Sequence, residues 1–403
     1  MAAFLIDISR TIARTPYSHP TGIDRVERAY IAHFLQSDSP VWFISRVLKG
    51  YVVLDKAAMQ VVWSMINGEQ PWQKPDLIAL LFSQKMHKVV NRAESTLRRL
   101  SKGQCWQRGL GKMLVQNLPK DFVYLNIGHA NRKPFFWQAM RAAGAGKMFA
   151  MVHDVIPLDY PEYCAETAAR RFASELKSTA KACDGLIYNS ADTATRTEIW
   201  LKKWGLDPAS ATILLGVEPL PRPKAKPPAS PVEFVTLGTI EPRKNHQLLL
   251  DIWPDINGHL HIIGARGWLN KTVFETLDTS PMIGKTVFEH INLTDAALAE
   301  HLSSARALLF PSFAEGFGYP LVEALQMGLP VICSDLACFR ELAGDLPTYL
   351  PPDDPEAWRA AINAAAATPR EKIPENVSFP TWEQHFAELE AYVKQADQRK
   401  AGT

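Results

Sequence analysis

The chain has 403 residues, 47% hydrophobic and 21% charged, with a net charge of +2. That length suits two domains of about 200 residues, the hydrophobic share is ordinary for a globular protein with real cores, and the balanced charge gives no footing for nucleic acid. Five scattered cysteines (Cys105, Cys164, Cys183, Cys333, Cys338) form no C-x-x-C pair, which argues against a disulfide framework or a zinc site and for a reducing compartment.

The N-terminus carries a short apolar run broken by Asp7. It is too short for a signal peptide and reads as a first buried strand. No run of about 18 apolar residues follows, so no membrane-spanning helix is expected and any membrane contact would be peripheral. Residues 4–8, 41–45, 122–126, 147–152 and 185–189 read as buried strands, with helical patterns over 25–36 and 135–143. Such alternation predicts a parallel sheet covered by helices.

Residues 85–120 stand apart. Lys85, Lys88, Arg92, Arg98, Arg99, Lys102, Arg108, Lys112 and Lys120 face a single acid, Glu94. The pattern suits a solvated helical insertion over about 84–120; a basic helix with an apolar side would alternatively lie on an anionic membrane. Residues 217–232 contain six prolines, which disfavour helix and sheet alike and predict an extended linker. A second strand series follows at 234–237, 259–263, 287–289, 307–310 and 330–333, and a last helical stretch at 382–398. The expected division is therefore α/β throughout: a Rossmann-like domain over 1–217, a linker over 218–232, a second Rossmann-like domain over 233–380, and a helix with its tail over 381–403. Open parallel sheets bind ligands at their C-terminal strand edges, so a cleft between the halves is expected.

Two stretches carry chemistry. After the apolar run ending at Phe310, Glu315 and Glu323 flank the turn Gly316-Phe317-Gly318. Glycines let backbone approach a ligand closely, and a helix start suits a phosphate. The other stretch runs from a strand through Gly238 to Arg243 and Lys244, a basic pair expected to open a helix.

The E-x7-E spacing of Glu315 and Glu323, with the basic pair about 75 residues earlier, resembles the retaining glycosyltransferases of the GT-B fold, above all family 4. The resemblance covers the C-terminal half and, more loosely, the N-terminal half. It implies two Rossmann-like domains around a cleft, with a nucleotide-diphosphate sugar on the second and a glycan or lipid-linked acceptor on the first. Overall likeness to mannosyl-type members implies mannose from GDP-mannose, in bacterial surface polysaccharide synthesis. It also implies work in the cytoplasm, on the inner face of the membrane.

By that resemblance Arg243 and Lys244 contact the donor diphosphate. Fixed cations there would stabilise the departing charge without a metal. Glu315 would face the sugar, Glu323 would accept from ribose hydroxyls, and Leu321 and Val322 would offer backbone N–H groups to the diphosphate. Relatives often carry arginine where this chain has Thr239, so one phosphate contact is missing or falls to Arg243. Glu315 occupies a position once suspected as a nucleophile, but front-face substitution better fits a site without a nucleophile–base pair.

In the N-terminal half, His153 follows a strand and is expected inside the cleft, near the donor sugar or the acceptor. Asp154 either orients His153 or caps the next turn. Gly22 opens the first helix, where the backbone would approach the diphosphate or acceptor, and Asp24 and Arg25 follow it. As structural readings, Arg243 and Lys244 would be exposed at a helix start, Glu323 an exposed helix residue, and His153 a core histidine. Cations gain nothing at a helix N-terminus, which favours function for the pair.

No G-x-G-x-x-G follows the first strand and no G-x-S-x-G elbow occurs, which disfavours a dehydrogenase and a serine hydrolase. Gly284-Lys285-Thr286 imitates a P-loop end, but Thr279 stands where its first glycine belongs. No histidine or aspartate cluster has metal-ligand spacing and no D-x-D occurs, so a metal-free reaction and no cofactor are expected. A sugar phosphorylase, a transferase to a soluble sugar, or a non-catalytic nucleotide-sugar-binding subunit would carry the same donor motifs.

Overall fold

The computed structural model describes residues 3–17, 20–82, 86–221, 223, 231–370, 373–374 and 377–401, with 396–401 by backbone alone. Two sheets form its frame. The first contains β1 (Phe4–Asp7), β2 (Val41–Val47), β3 (Gly50–Asp55), β4 (Gly103–Trp106), β5 (Phe122–Asn126), β6 (Ala145–Val152), β7 (Gly185–Tyr188) and β8 (Ser210–Thr212). Their spatial order is β4-β3-β2-β1-β5-β6-β7-β8. All neighbours are parallel except β2–β3 and β3–β4. Strands β1, β5 and β7 are buried along their whole length, as expected where helices cover both faces of a parallel sheet.

The second sheet is wholly parallel, in the order β11-β10-β9-β12-β13-β14. It contains β9 (Glu233–Leu237), β10 (His259–Ile263), β11 (Val287–His290), β12 (Ala307–Phe310), β13 (Val331–Ser334) and β14 (Thr348–Leu350). Both sheets reverse direction of construction next to their first strand, β1 or β9. That is the topological switch where α/β folds open a ligand crevice.

The basic segment departs from its expected form. It is a helix (Lys88–Leu100), then edge strand β4, then a helix (Leu110–Asn117), so it is not one amphipathic helix. Its cations are partly consumed inside the fold. Arg98 is buried and forks onto Asp76 at 2.6 and 2.9 Å. Arg92 donates to the carbonyls of Trp72 and Gln73, and Arg99 to that of Lys74. Ala93 and Leu97 are fully buried, leaving this helix no free apolar side. Lys85 lies outside the described residues.

Most of the expected linker, 218–232, also lies outside the described residues. Where it begins, the Val217 N–H donates to the Pro380 carbonyl at 3.1 Å. Gly216 is so close to Trp382 that a Cβ would stand 2.3 Å from its backbone nitrogen. The helix Trp382–Ala401 then packs on the helix Gly22–Gln36 of the first half. Phe386 stacks on His33 with ring centroids 3.7 Å apart, and the Tyr30 hydroxyl pairs with His385 Nε2 at 2.8 Å. Among the described residues no helix is long and apolar enough to cross a membrane.

Candidate functional site

The C-terminal edges of the two sheets face and touch each other. β6 leads directly into His153 and Asp154, and β12 into the loop that reaches Gly316. A Cβ on Gly316 would stand 2.0 Å from the His153 carbonyl oxygen; only glycine permits this approach. The hydroxyls of Ser190 and Thr193 donate to the Gly316 carbonyl at 2.8 and 3.1 Å. Farther along the seam, the Ala191 N–H donates to Glu341 and the Tyr163 ring stacks on Phe313.

On the second half, three charged side chains converge. Lys244 Nζ lies 2.5 Å from Glu315 Oε1, and Arg243 Nη1 lies 2.8 Å from Glu315 Oε2. The Ser312 hydroxyl gives Glu315 a third bond at 2.8 Å. Burial alone would raise the Glu315 carboxyl, but the two cations hold it down at about 2. Burial pulls Lys244 below the usual ammonium range, against the attraction of Glu315. Arg243 is further engaged by Glu241 at 2.6 Å and by the Ala314 carbonyl at 2.9 Å. Gly238, at φ 132°, makes room for the cluster: a Cβ there would lie 3.2 Å from Lys244 Cε.

The basic pair does not open the following helix as expected. It lies on a separate 3-10 turn, Pro242–Lys244. Asn245 then takes a left-handed conformation (φ 55°) before the helix His246–Ile252 begins, a geometry asparagine tolerates better than most residues. The break aims both cations at Glu315 instead of leaving them along a helix flank.

Gly318, also left-handed at φ 113°, precedes the helix Tyr319–Gln326. Phe317 is packed in the core, as are Leu321 and Val322, so any contact of these residues with a ligand falls to their backbone. The N–H groups of Leu321 and Val322 donate to the Gly318 carbonyl at 3.0 and 3.4 Å, and a phosphate would compete with that carbonyl. Glu323 is buried, not exposed, and Arg25 reaches it across the seam at 2.5 Å. Burial raises the Glu323 carboxyl, and Arg25 opposes the rise. The Arg25 guanidinium also covers the Tyr319 ring, 4.6 Å from its centroid. Gly22, the first residue of its helix, faces the same ring, with a Cβ position 3.4 Å away.

Between the halves lies a cleft of about 700 Å³. Gly238, Gly264, Leu293, Tyr319 and Glu323 line it from the second half, and Arg25, Arg28 and Trp63 from the first.

His153 is buried, and its Nε2 lies 2.8 Å from the Ile127 carbonyl. A carbonyl only accepts, so Nε2 carries the proton and Nδ1 is bare. Burial pushes this imidazole down to about 3, so it stays neutral. Asp154 accepts from the Ile156 N–H at 3.2 Å, so it caps the next turn. Asp24 is likewise a cap. It accepts from the Thr21 N–H at 2.9 Å and pairs with Arg10 at 2.7 Å. Burial would raise its carboxyl, but Arg10, Thr21 and Arg14 together keep it lowered.

Sequence reasoning missed Glu241, Ser312 and the hydroxyls of Ser190 and Thr193. Nothing in their local pattern distinguishes them. It also missed His261, His290 and His301, which each bring one ring nitrogen to within 4.8 Å of the others. They come from separate elements at no ligand-type spacing.

Comparison with known proteins agrees with this geometry. Residues 219–377 match the family model described as glycosyl transferases group 1. The Escherichia coli serotype-specific mannosyltransferase WbdA is 33% identical over 409 residues, covering 94% of this chain and 45% of WbdA; the chain thus spans about half the length of that relative. The O-antigen chain mannosyltransferase RfbU of Salmonella typhimurium is 25% identical over 236 residues, covering 56% of this chain and 62% of RfbU. Among solved structures, Anabaena HepE in complex with UDP-glucose superposes with a TM-score of 0.57 at 13% identity, covering 90% of this chain and 89% of HepE; at that identity the likeness speaks for the fold alone. With two α/β halves meeting at their C-terminal strand edges and a matching family model over the second, this chain carries a glycosyl transferases group 1 domain on a GT-B fold.

Proposed function

We propose that the chain transfers mannose from GDP-mannose to a glycan or lipid-linked saccharide during synthesis of a bacterial surface polysaccharide, with retention of configuration and without a metal. The observation that carries this reading is the Arg243–Lys244–Glu315 cluster packed behind Gly238, which lines the cleft. A departing nucleoside diphosphate gains negative charge as the glycosidic bond breaks. Two fixed cations in a buried site stabilise that charge without reorganising, which removes the need for a metal. The relatives' names supply the sugar and the pathway.

Glu315 favours retention without a covalent intermediate. Held by Lys244, Arg243 and Ser312, with its carboxyl at about 2, it is a weak nucleophile. Front-face departure of the diphosphate, with the acceptor hydroxyl entering on the same side, needs no protein nucleophile. The acceptor proton then passes to the leaving phosphate oxygen. The neutral His153 and the Gly316 contact form the opposite wall and help exclude water. Glu323 would bind ribose only by sharing or exchanging Arg25.

Peripheral membrane contact is part of the proposal, at a different place from the basic helix. The helix Leu77–Phe82 exposes Leu77 (75%), Leu80 (66%), Leu81 (69%) and Phe82 (51%). Lys49 lies 5.2 Å over the Phe82 ring and Lys88 is exposed nearby in sequence. Apolar side chains with neighbouring cations suit an anionic bilayer surface.

The test is donor turnover. Protein in EDTA is incubated with GDP-, UDP- and dTDP-sugars, and release of nucleoside diphosphate is followed, with Lys244→Ala as control. GDP-mannose hydrolysis lost in the variant is expected. Silence across the panel, with no donor protecting against heat, would overturn the assignment; a requirement for inorganic phosphate would make it a phosphorylase.

A further inference from the structure

Outside the cluster and the cleft, three imidazoles meet on the second half. His261 projects from β10, His290 from the end of β11, and His301 from the helix Asp295–Ser304 that covers the same sheet face. Ring centroids lie 5.0 Å apart for His261–His301 and 4.6 Å for His290–His301. His261 Nδ1 is 2.8 Å from His290 Nε2. We propose that His261, His290 and His301 form a binding site for one divalent transition-metal ion, zinc foremost.

The chemistry of the donor set is specific. Three neutral nitrogens of borderline softness suit zinc, nickel, cobalt or copper, and disfavour magnesium and calcium, which want oxygen. Three protein ligands with a fourth position open is a recurring arrangement for zinc. Metal–nitrogen bonds of about 2.0–2.1 Å in a tetrahedron put ligand nitrogens between the present 2.8 Å contact and the 4.8 Å limit of the group, so small ring movements suffice.

A second observation points the same way. The hydrogen bond between His261 and His290 holds one proton between two nitrogens that a metal needs bare. His261 Nε2 is buried without a hydrogen-bond partner, and Glu233 Oε1 lies 3.9 Å from it. Moved to Nε2, the proton would face that carboxylate, so the ring changes tautomer and no proton need be lost. A ligating histidine that turns its other N–H to a carboxylate is the usual support around a metal. Glu233 is itself held by the Ser304 hydroxyl at 3.0 Å, on the helix that carries His301.

The position gives the ion a consequence. His290 and His301 bracket the segment holding Asn292, Leu293, Asp295 and Leu298, all of which line the cleft. An ion on the triad would clip both ends of that wall together. It is separate from the Arg243–Lys244–Glu315 cluster and takes no part in the proposed transfer step.

The test is zinc binding by tag-free, chelator-stripped full-length protein. Calorimetry gives affinity and elemental analysis the stoichiometry, with cobalt as an optical probe. One ion per chain is expected. His301→Gln and His290→Gln should abolish it, Glu233→Gln should weaken it about 10–100-fold, and His259→Gln, a neighbour outside the triad, should leave it unchanged. Circular dichroism checks that each variant folds, and Glu233→Gln keeps the test decisive should the ligand variants not fold. Absence of stoichiometric binding, or equal affinity in Glu233→Gln and His301→Gln, would overturn the proposal.

Discussion

Replacing Glu315 by alanine tests the charge cluster directly. The wild-type carboxylate accepts from Lys244 at 2.5 Å, Arg243 at 2.8 Å and Ser312 at 2.8 Å, in a site where both cation and anion are largely removed from water. Breaking a buried pair by removing one partner costs about 3–5 kcal/mol, because the other charge is stranded. At about 2–4 °C per kcal/mol for a unit of 150–250 residues, Glu315→Ala should melt roughly 10 °C below wild type. A nucleoside diphosphate would bring negative charge to the stranded cations. GDP should therefore raise the melting temperature of Glu315→Ala more than that of wild type, and that of Glu315→Ala/Lys244→Ala less. The pH dependence has a definite sign. Glu315 is depressed in the folded chain, so its contribution is present above the ordinary carboxylate range and lost as pH falls through about 2. The gap between wild type and variant should hold from pH 8 to 5 and close in acid. The assay is thermal unfolding in EDTA with and without GDP. An equal or smaller GDP effect in Glu315→Ala would refute the claim that these cations form the diphosphate site.

Other outcomes follow from single contacts. Arg25→Ala strands Glu323 and should cost about 1.5–3 kcal/mol, with Arg25→Lys recovering part of it; an unchanged melting temperature would mean that this ion pair contributes nothing to stability. Gly316→Ala drives a Cβ into the His153 carbonyl, so small-angle scattering should report a larger radius of gyration with circular dichroism unchanged, whereas an unaltered radius would mean the seam yields. Burial pushes Glu27 up to about 8. Its raised carboxyl stabilises fully below the usual range and loses that effect as pH rises through about 8, at about 1.4 kcal/mol per unit. Wild type should therefore weaken between pH 5 and 8 and Glu27→Gln should flatten the slope; parallel slopes would refute the burial argument. Mannosyl transfer should survive EDTA in His301→Gln, where any effect of the triad is absent, and loss there would mean the reaction itself uses a metal.

What was legible in the sequence is what local pattern encodes. The apolar runs at 122–126, 234–237 and 307–310 become β5, β9 and β12 because strands buried on both faces need continuous hydrophobicity. The two donor motifs were legible because glycine turns constrain backbone. β3 was missed although Gly50–Asp55 is almost wholly buried. Its hairpin turn puts Lys49 at φ 73°, a position where sequence signals expect glycine or asparagine. The basic segment is hard to read for another reason: Asp76, which pairs with Arg98, lies before residues 85–120 in the chain, so local charge pattern does not show the pairing. The histidine triad and the Arg25–Glu323 bridge are tertiary facts. Their partners are separated by 29, 11 and nearly 300 residues of chain, and no periodicity reports such meetings.

The two walls of the seam differ in charge, and the difference suits a division of labour. The second half brings Arg243, Lys244, Glu315 and Glu241 to its strand edge. Apart from Arg25 and Arg28 on the cleft, the first brings groups that burial keeps neutral: His153 at about 3, His129 well below its ordinary value, and Glu27 at about 8. Its remaining polar floor is a closed network in which Asp7 accepts from Tyr124 and Asn131, each at 2.8 Å. A diphosphate is drawn to the charged wall, while a saccharide, which offers hydroxyls and no charge, is best met by neutral donors and acceptors. The Gly316 carbonyl, bonded to Ser190 and Thr193, is where the two walls register against each other. In the proposed reaction a hydroxyl held on one side would be brought toward the anomeric centre on the other by this registration, which rests on two side-chain hydroxyls and one backbone carbonyl.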